Sequence, residues 1–257
     1  MNNQIVGIVD EPNPRGNEDT LDIYRHASAL TEFIKKTTTP MTIGIQGEWG
    51  SGKTSLLYSI REAIGQDNFA QIWINSWEHS LLSTPEEALL KIINEIIHEM
   101  ISGDEDVSRQ SNIMSGVKSL IKGALRVGAA AVGGSKAGDV ADELLGDEIN
   151  SIKELRDQLE NLSLEIQNRD TNPYEKIIIY VDDLDRVEPR DAVQILELLK
   201  NIFNISNCVF VLAIDYQVVV KGLKEKFGER TEANEWEFRA FFDKIIQLPF
   251  MMPMGQY

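Results

Sequence analysis

The segment Met41–Ser55, MTIGIQGEWGSGKTS, sets the architecture of the chain. Its first half is a short apolar run, read as a strand over Met41–Gln46. Its second half, Gly47-Glu48-Trp49-Gly50-Ser51-Gly52-Lys53-Thr54, satisfies G-x-x-x-x-G-K-[ST], and Ser55 follows in the same loop-to-helix passage. Glycines let the backbone curl until successive N–H groups point inward at phosphate oxygens. The helix expected over Lys53–Ile64 adds the positive end of its dipole. In this pattern Lys53 reaches the β- and γ-phosphates and Thr54 offers its hydroxyl to Mg²⁺. Trp49 has no required chemistry and either packs under the loop or flanks the nucleotide.

Downstream, Lys176–Val181 (KIIIYV) is continuously apolar, as in a strand covered on both faces. Asp182-Asp183-Leu184-Asp185-Arg186 follows it directly. Three carboxylates at a strand end repel one another unless a cation or hydrogen-bond donors sit among them. Open α/β sheets bind ligands at that edge. Asp182 is therefore the candidate Mg²⁺ holder and Asp183 the candidate for activating water. Asp185 and Arg186 are expected to pair locally within the turn. Asp215 follows a second buried strand, Cys208–Ile214. It is a candidate catalytic residue that senses the γ-phosphate, and equally a cap for the helix Tyr216–Phe227.

The remaining elements fit around these strands. Helices are expected over Leu21–Lys36, from Thr84-Pro85 to about Met100, from about Ile149 to Ile166, over Pro189–Phe203 and over Asn234–Lys244. Strands are expected over Ala70–Asn75 and Ile245–Leu248. The fold class is α/β: a three-layer core with a mostly parallel five-stranded sheet and a helical insertion. Residues 1–18 read as a mobile arm and 19–253 as the domain. Residues 102–146 form an insertion rich in small residues, and 254–257 a tail.

Composition limits function. With 25 Lys and Arg against 41 Asp and Glu, the formal net charge is −16, so general nucleic-acid binding is not expected. The basic patch Lys118, Lys122, Arg126 and Lys136 is a local exception. One cysteine, Cys208, reads as a buried thiol and excludes a disulfide within the chain. No run of 18 apolar residues occurs, and the polar opening Met1–Thr20 does not resemble a secretory leader. A cytoplasmic location, with room for a peripheral membrane contact, is expected. His26, His79 and His98 lack metal-ligand spacing. Met251, Met252 and Met254 read as packing or an interaction surface.

Together these segments resemble the KAP family of P-loop NTPases, within the AAA+-like and STAND-like ASCE class. GEWGSGKTS (Gly47–Ser55) resembles its phosphate loop, and INSWEHS (Ile74–Ser80) its Asn-x-Trp element. IIIYVDDLDRVEP (Ile177–Pro189) resembles its acidic metal motif. FVLAID and KIIQLPFMMP (Lys244–Pro253) resemble its last core strands, and DTLDIYRHASALTEFI (Asp19–Ile34) the preceding helix. The resemblance implies ATP as the nucleotide, hydrolysis, and an extra strand between the phosphate-loop and metal-motif strands. It also implies a switch or assembly role in a homo-oligomer or larger effector assembly, in bacterial phage defence or at membranes. An arginine supplied between subunits is part of that expectation, with Arg186, Arg230 and Arg239 as candidates. Two departures stand out. Many members carry transmembrane helices where this chain has Ser102–Gly146, which cannot span a bilayer. Members also continue into a helical region beyond the point where this chain ends, so either the chain is a fragment with its truncation point in the tail 254–257, or lid and effector functions come from elsewhere. A nucleotide-gated assembly module with little turnover is the alternative, and no acceptor site for a phosphotransferase is recognisable.

Overall fold

The computed structural model describes residues 22–65, 68–81, 83, 85–101, 156–157, 159–165, 167–168, 174–200 and 204–253. The expected arm at 1–18, the insertion at 102–146 with its basic patch, and the tail at 254–257 lie outside the described residues.

Five strands form one all-parallel sheet: β1 (Met41–Gln46), β2 (Phe69–Asn75), β3 (Lys176–Asp182), β4 (Cys208–Ile214) and β5 (Leu248–Met251), in the order β2-β3-β4-β1-β5. The strand β4 separates the phosphate-loop strand β1 from the acidic-motif strand β3, as the resemblance implied. Every residue of β4 is buried, as is β3 from Ile177 to Asp182. That follows from their unbroken apolar sequences, because a parallel sheet is covered on both faces.

The helices are α1 (Ile23–Lys36), α2 (Lys53–Ile64), α3 (Ser76–Ser80), α4 (Pro85–Ile101), α5 (Pro189–Lys200), α6 (Tyr216–Phe227) and α7 (Glu235–Asp243), with further helical residues at 159–165. Alternate side chains of each strand face opposite layers. Ile178, Tyr180, Val209, Val211 and Ala213 pack with Ala27, Leu30 and Ile34 of α1 and Leu56, Leu57 and Ile60 of α2. Ile177, Ile179, Val181, Phe210 and Leu212 pack with Ile92, Ile93 and Ile96 of α4, Ile195 and Leu196 of α5, and Phe238 of α7. Two close contacts tie these elements together, one at a glycine and one at a lysine. A Cβ at Gly222 of α6 would stand 2.0 Å from the Pro189 carbonyl oxygen, so α5 and α6 meet at backbone distance only because Gly222 has no side chain. The Lys176 ammonium donates to the carbonyls of Ile34, Lys35 and Thr37, tying the open end of α1 to β3, and its burial lowers its pKa.

Two expectations need correction. The last strand is Leu248–Met251, three residues later than Ile245–Leu248. Ile245 and Ile246 are buried in the passage from α7, and their burial mimics strand periodicity. Pro249 belongs to the strand itself. It is tolerated because β5 is an edge strand paired only with β1, where a missing N–H breaks no interior ladder. The short helix α3 was not expected. The Asn75 side chain creates it by accepting from the N–H groups of Trp77 and Glu78 at 3.1 and 3.3 Å.

Candidate functional site

Beyond β1 the chain turns through Gly50 and Gly52 at φ of 79° and 87°, a backbone region open mainly to glycine. Gly47 is needed for space. A Cβ there would lie 2.4 Å from Ser51 Oγ and 2.9 Å from Met252 Cγ. Met252 is buried behind the loop, in line with the packing reading of that residue, while Met251 is exposed. The loop is anchored at its base, since Gly47 N–H donates to the Ile214 carbonyl and Met252 N–H to the Gln46 carbonyl. Within it, Ser51 N–H donates to the Glu48 carbonyl. Among the described residues, the N–H groups of Gly50, Gly52, Lys53 and Thr54 have no acceptor. The buried Ser51 hydroxyl likewise has none. Clustered donors at a helix start, with an orphaned hydroxyl beside them, fit an anion such as a polyphosphate.

Lys53 is only 6% exposed and uses all three of its protons. It donates to the carbonyls of Gly47 and Glu48, each at 3.0 Å, and pairs with Asp185 Oδ2 at 2.8 Å. This overturns the expected Asp185–Arg186 pair. The turn Leu184–Arg186 points Asp185 inward at the phosphate loop and leaves Arg186 to reach back to Asp183 Oδ1 at 2.8 Å.

Asp182 ends β3 directly beside Asn75 of β2 in the sheet register. Burial raises its pKa, opposed by the N–H of Asp183 at 2.9 Å and by the Thr54 hydroxyl. The two residues expected to hold Mg²⁺ thus line the same cavity, with the Thr54 hydroxyl close enough to act on the Asp182 carboxyl. Asp183 sits in the left-handed region at φ 59°. Burial raises its pKa too, opposed by Arg186 and by a hydrogen bond with Asn75. Asn75 is therefore a site residue that spacing alone did not reveal. Its family resemblance was the available signal, and its function needs the β2–β3 register to become visible.

These residues line one cavity of about 280 Å³: Trp49, Lys53, Thr54, Asn75, Asp182 and Asp183, with Tyr58, Trp73, Asp185 and Arg186 completing the wall. Tyr58 stacks on Trp73 with ring centroids 4.4 Å apart. Trp49 is 71% exposed on the rim, so it does not pack under the loop. Asp215 does not line the cavity. One of its oxygens accepts from Gln217 N–H at 2.8 Å, capping α6. Of the candidate arginines, Arg186 lines the cavity, whereas Arg230 and Arg239 both pair with Glu235. Another cavity of about 340 Å³, between α5, α6 and α7, is lined by lysines and glutamates of mixed sign and carries no comparable convergence.

The sequence pattern of the KAP family P-loop domain matches residues 24–255. The chain belongs to the KAP family. This KAP domain is also 23% identical over 239 residues to the phage T7 exclusion protein of Escherichia coli (strain K12), a match covering 82% of this chain and 30% of that protein. It spans less than a third of that relative's length. Among its described residues no helix is long and apolar enough to cross a membrane. Nor do they hold a cluster of three or more His, Cys, Asp or Glu suited to a metal. Thr54 with one carboxylate suits an ion of the Mg²⁺ type, which is commonly held by one or two protein groups plus substrate phosphates.

Proposed function

We propose that this KAP domain is an ATP-binding, Mg²⁺-dependent switch that hydrolyses the β–γ phosphoanhydride. The observation that carries this reading is the convergence of Lys53, Thr54, Asp182 and Asp183 on one cavity at the carboxyl edge of β1 and β3. The loop from Gly47 to Ser55 cradles the phosphates through the N–H groups of Gly50, Gly52, Lys53 and Thr54. Lys53 supplies a fixed positive charge, and Thr54 and Asp182 hold the metal. Mg²⁺ contributes neutralisation of phosphate charge. Asp183 orients the attacking water and accepts its proton, with Asn75 and Arg186 fixing the carboxylate. Asp215 acts from the end of β4, where its cap holds the start of α6 in place. Burial of Asp183 raises its proton affinity, which favours a base.

ATP over other nucleotides rests on the family. A role in phage exclusion is carried by the name of the Escherichia coli relative, and extends to this chain as part of the same proposal. So does work in a homo-oligomer or effector assembly. The cytoplasmic location, with peripheral membrane contact, rests on sequence character.

The test is phosphate release with ATP and Mg²⁺ over a protein concentration series. Wild type should turn over faster per subunit as concentration rises, and Lys53→Ala and Asp183→Asn should both be silent. Asp183→Asn should still bind ATP. Release that survives in Asp183→Asn removes the water-activating role. Nucleotide binding without any release from wild type favours the second reading, an assembly module gated by nucleotide.

A further inference from the structure

The mechanism above has no use for Asp185, yet it makes the shortest contact to the phosphate-loop lysine. Its carboxylate is 7% exposed and lies 2.8 Å from Lys53 Nζ, itself 6% exposed. The other two acceptors on that ammonium are carbonyls of the loop that Lys53 itself closes. They move only if the loop moves. Asp185 comes from a different element, the turn after β3. An ammonium has three protons, and all three are engaged. A phosphate oxygen can bond Lys53 only if one existing acceptor leaves, and the carboxylate is the separable one.

We propose that Asp185 is a built-in competitor for the nucleotide, holding on Lys53 the position that a phosphate oxygen takes on binding. The proposal rests on the nucleotide-binding reading of the same site. Two anions compete here for one buried cation, so nucleotide affinity is set by the difference between them. The displaced carboxylate cannot rest comfortably in the cavity, because Asp182 and Asp183 both feel its charge. Its exit moves the turn Leu184–Arg186. That turn also carries Arg186, which holds Asp183 at 2.8 Å and lies over the Trp77 ring at 5.9 Å. Displacement is thereby passed to the water-activating carboxylate and to the exposed face of α3. The nucleotide-free state keeps both Lys53 and Asp183 paired, and phosphate entry releases the first pair and loosens the second.

The test is calorimetric titration of the full chain with ATP and with ADP in Mg²⁺ buffer, comparing wild type, Asp185→Asn and Asp185→Ser. Asparagine keeps the shape and an acceptor for Lys53 but removes the competing charge. Both variants should bind nucleotide more tightly than wild type, by roughly tenfold, the worth of one charge-assisted hydrogen bond. A merely structural Asp185 predicts the opposite sign, because a loosened Lys53 binds less well. Equal or weaker binding by folded variants, with wild type binding normally, overturns the proposal and leaves the nucleotide reading intact. No binding by any of the three proteins overturns the nucleotide reading and the proposal with it. Circular dichroism on each variant identifies the folded ones, and either folded variant suffices for the comparison.

Discussion

At the residue scale, the site is a set of acids restrained by a few cations and donors. Burial raises the pKa of Asp182, so the folded protein holds its proton more tightly than the unfolded chain does. The sign follows. The contribution of Asp182 to native stability without metal falls as pH rises from the ordinary carboxylate value of 3.8 through the raised folded value, and is level above it. Asp182→Asn should remove that slope and raise the melting temperature of the metal-free protein at neutral pH, while abolishing stabilisation by Mg²⁺ with nucleotide. Thermal denaturation from pH 4 to pH 8 measures both. Lys53→Met exposes the other side of the balance. It leaves Asp185 buried with no cation among other carboxylates, and should cost about 3 kcal/mol in urea unfolding. Adding Asp185→Leu should recover most of that loss, since an apolar pair replaces a broken ionic one. Full loss persisting in the double variant would show that the pair is not what the lysine stabilises.

At the element scale, function depends on how closely the strands and helices abut. Asn75 does two jobs from the end of β2: it caps α3, and it stands beside Asp183, where it favours the charged carboxylate. Asn75→Ala should therefore lower turnover far more than nucleotide affinity, because the phosphate loop is untouched. An equal loss in both would place Asn75 in binding instead. Asp215→Ala should cost about 1 kcal/mol through the lost cap of α6. A fall in turnover beyond what that loss explains is the sign of a sensing role. Gly222→Ala tests the α5–α6 contact. A methyl 2.0 Å from the Pro189 carbonyl oxygen forces the helices apart. Chemical denaturation should show a loss of about 2 kcal/mol, and α5 leads directly out of the turn that carries Asp185 and Arg186.

At the scale of the whole molecule, the sheet order places β4 between the two chemical strands, so Lys53 and Asp182 face one cavity across the edge of three adjacent strands. Arg230 and Arg239 lie outside that cavity and are bound to Glu235. If Arg239 completes a neighbour's site in an assembly, it has to leave Glu235 to do so. Arg239→Ala should then abolish the concentration-dependent part of phosphate release while sparing ATP binding. Mixing it with Lys53→Ala should restore part of the rate, each subunit supplying what the other lacks. No complementation in the mixture would argue against a shared site.

The sequence by itself determined the class of the fold and the cradle. A Gly-rich loop between an apolar strand and a helix has few backbone solutions, and the unbroken apolar runs of β3 and β4 require burial on both faces. Hydrophobic spacing placed α1, α2 and α6 within a few residues of their observed ends. What only the tertiary structure decided is the pairing of charges. Asp183, Asp185 and Arg186 are near neighbours in sequence, and nothing in their spacing says that the turn sends Asp185 to Lys53 and Arg186 back to Asp183. Asn75 joins the site only through the β2–β3 register, across about a hundred residues of chain. The limits of β5 were hidden for the same reason. Buried loop residues and strand residues have the same apolar character, and which of them pairs with β1 is settled by the sheet edge rather than by local preference.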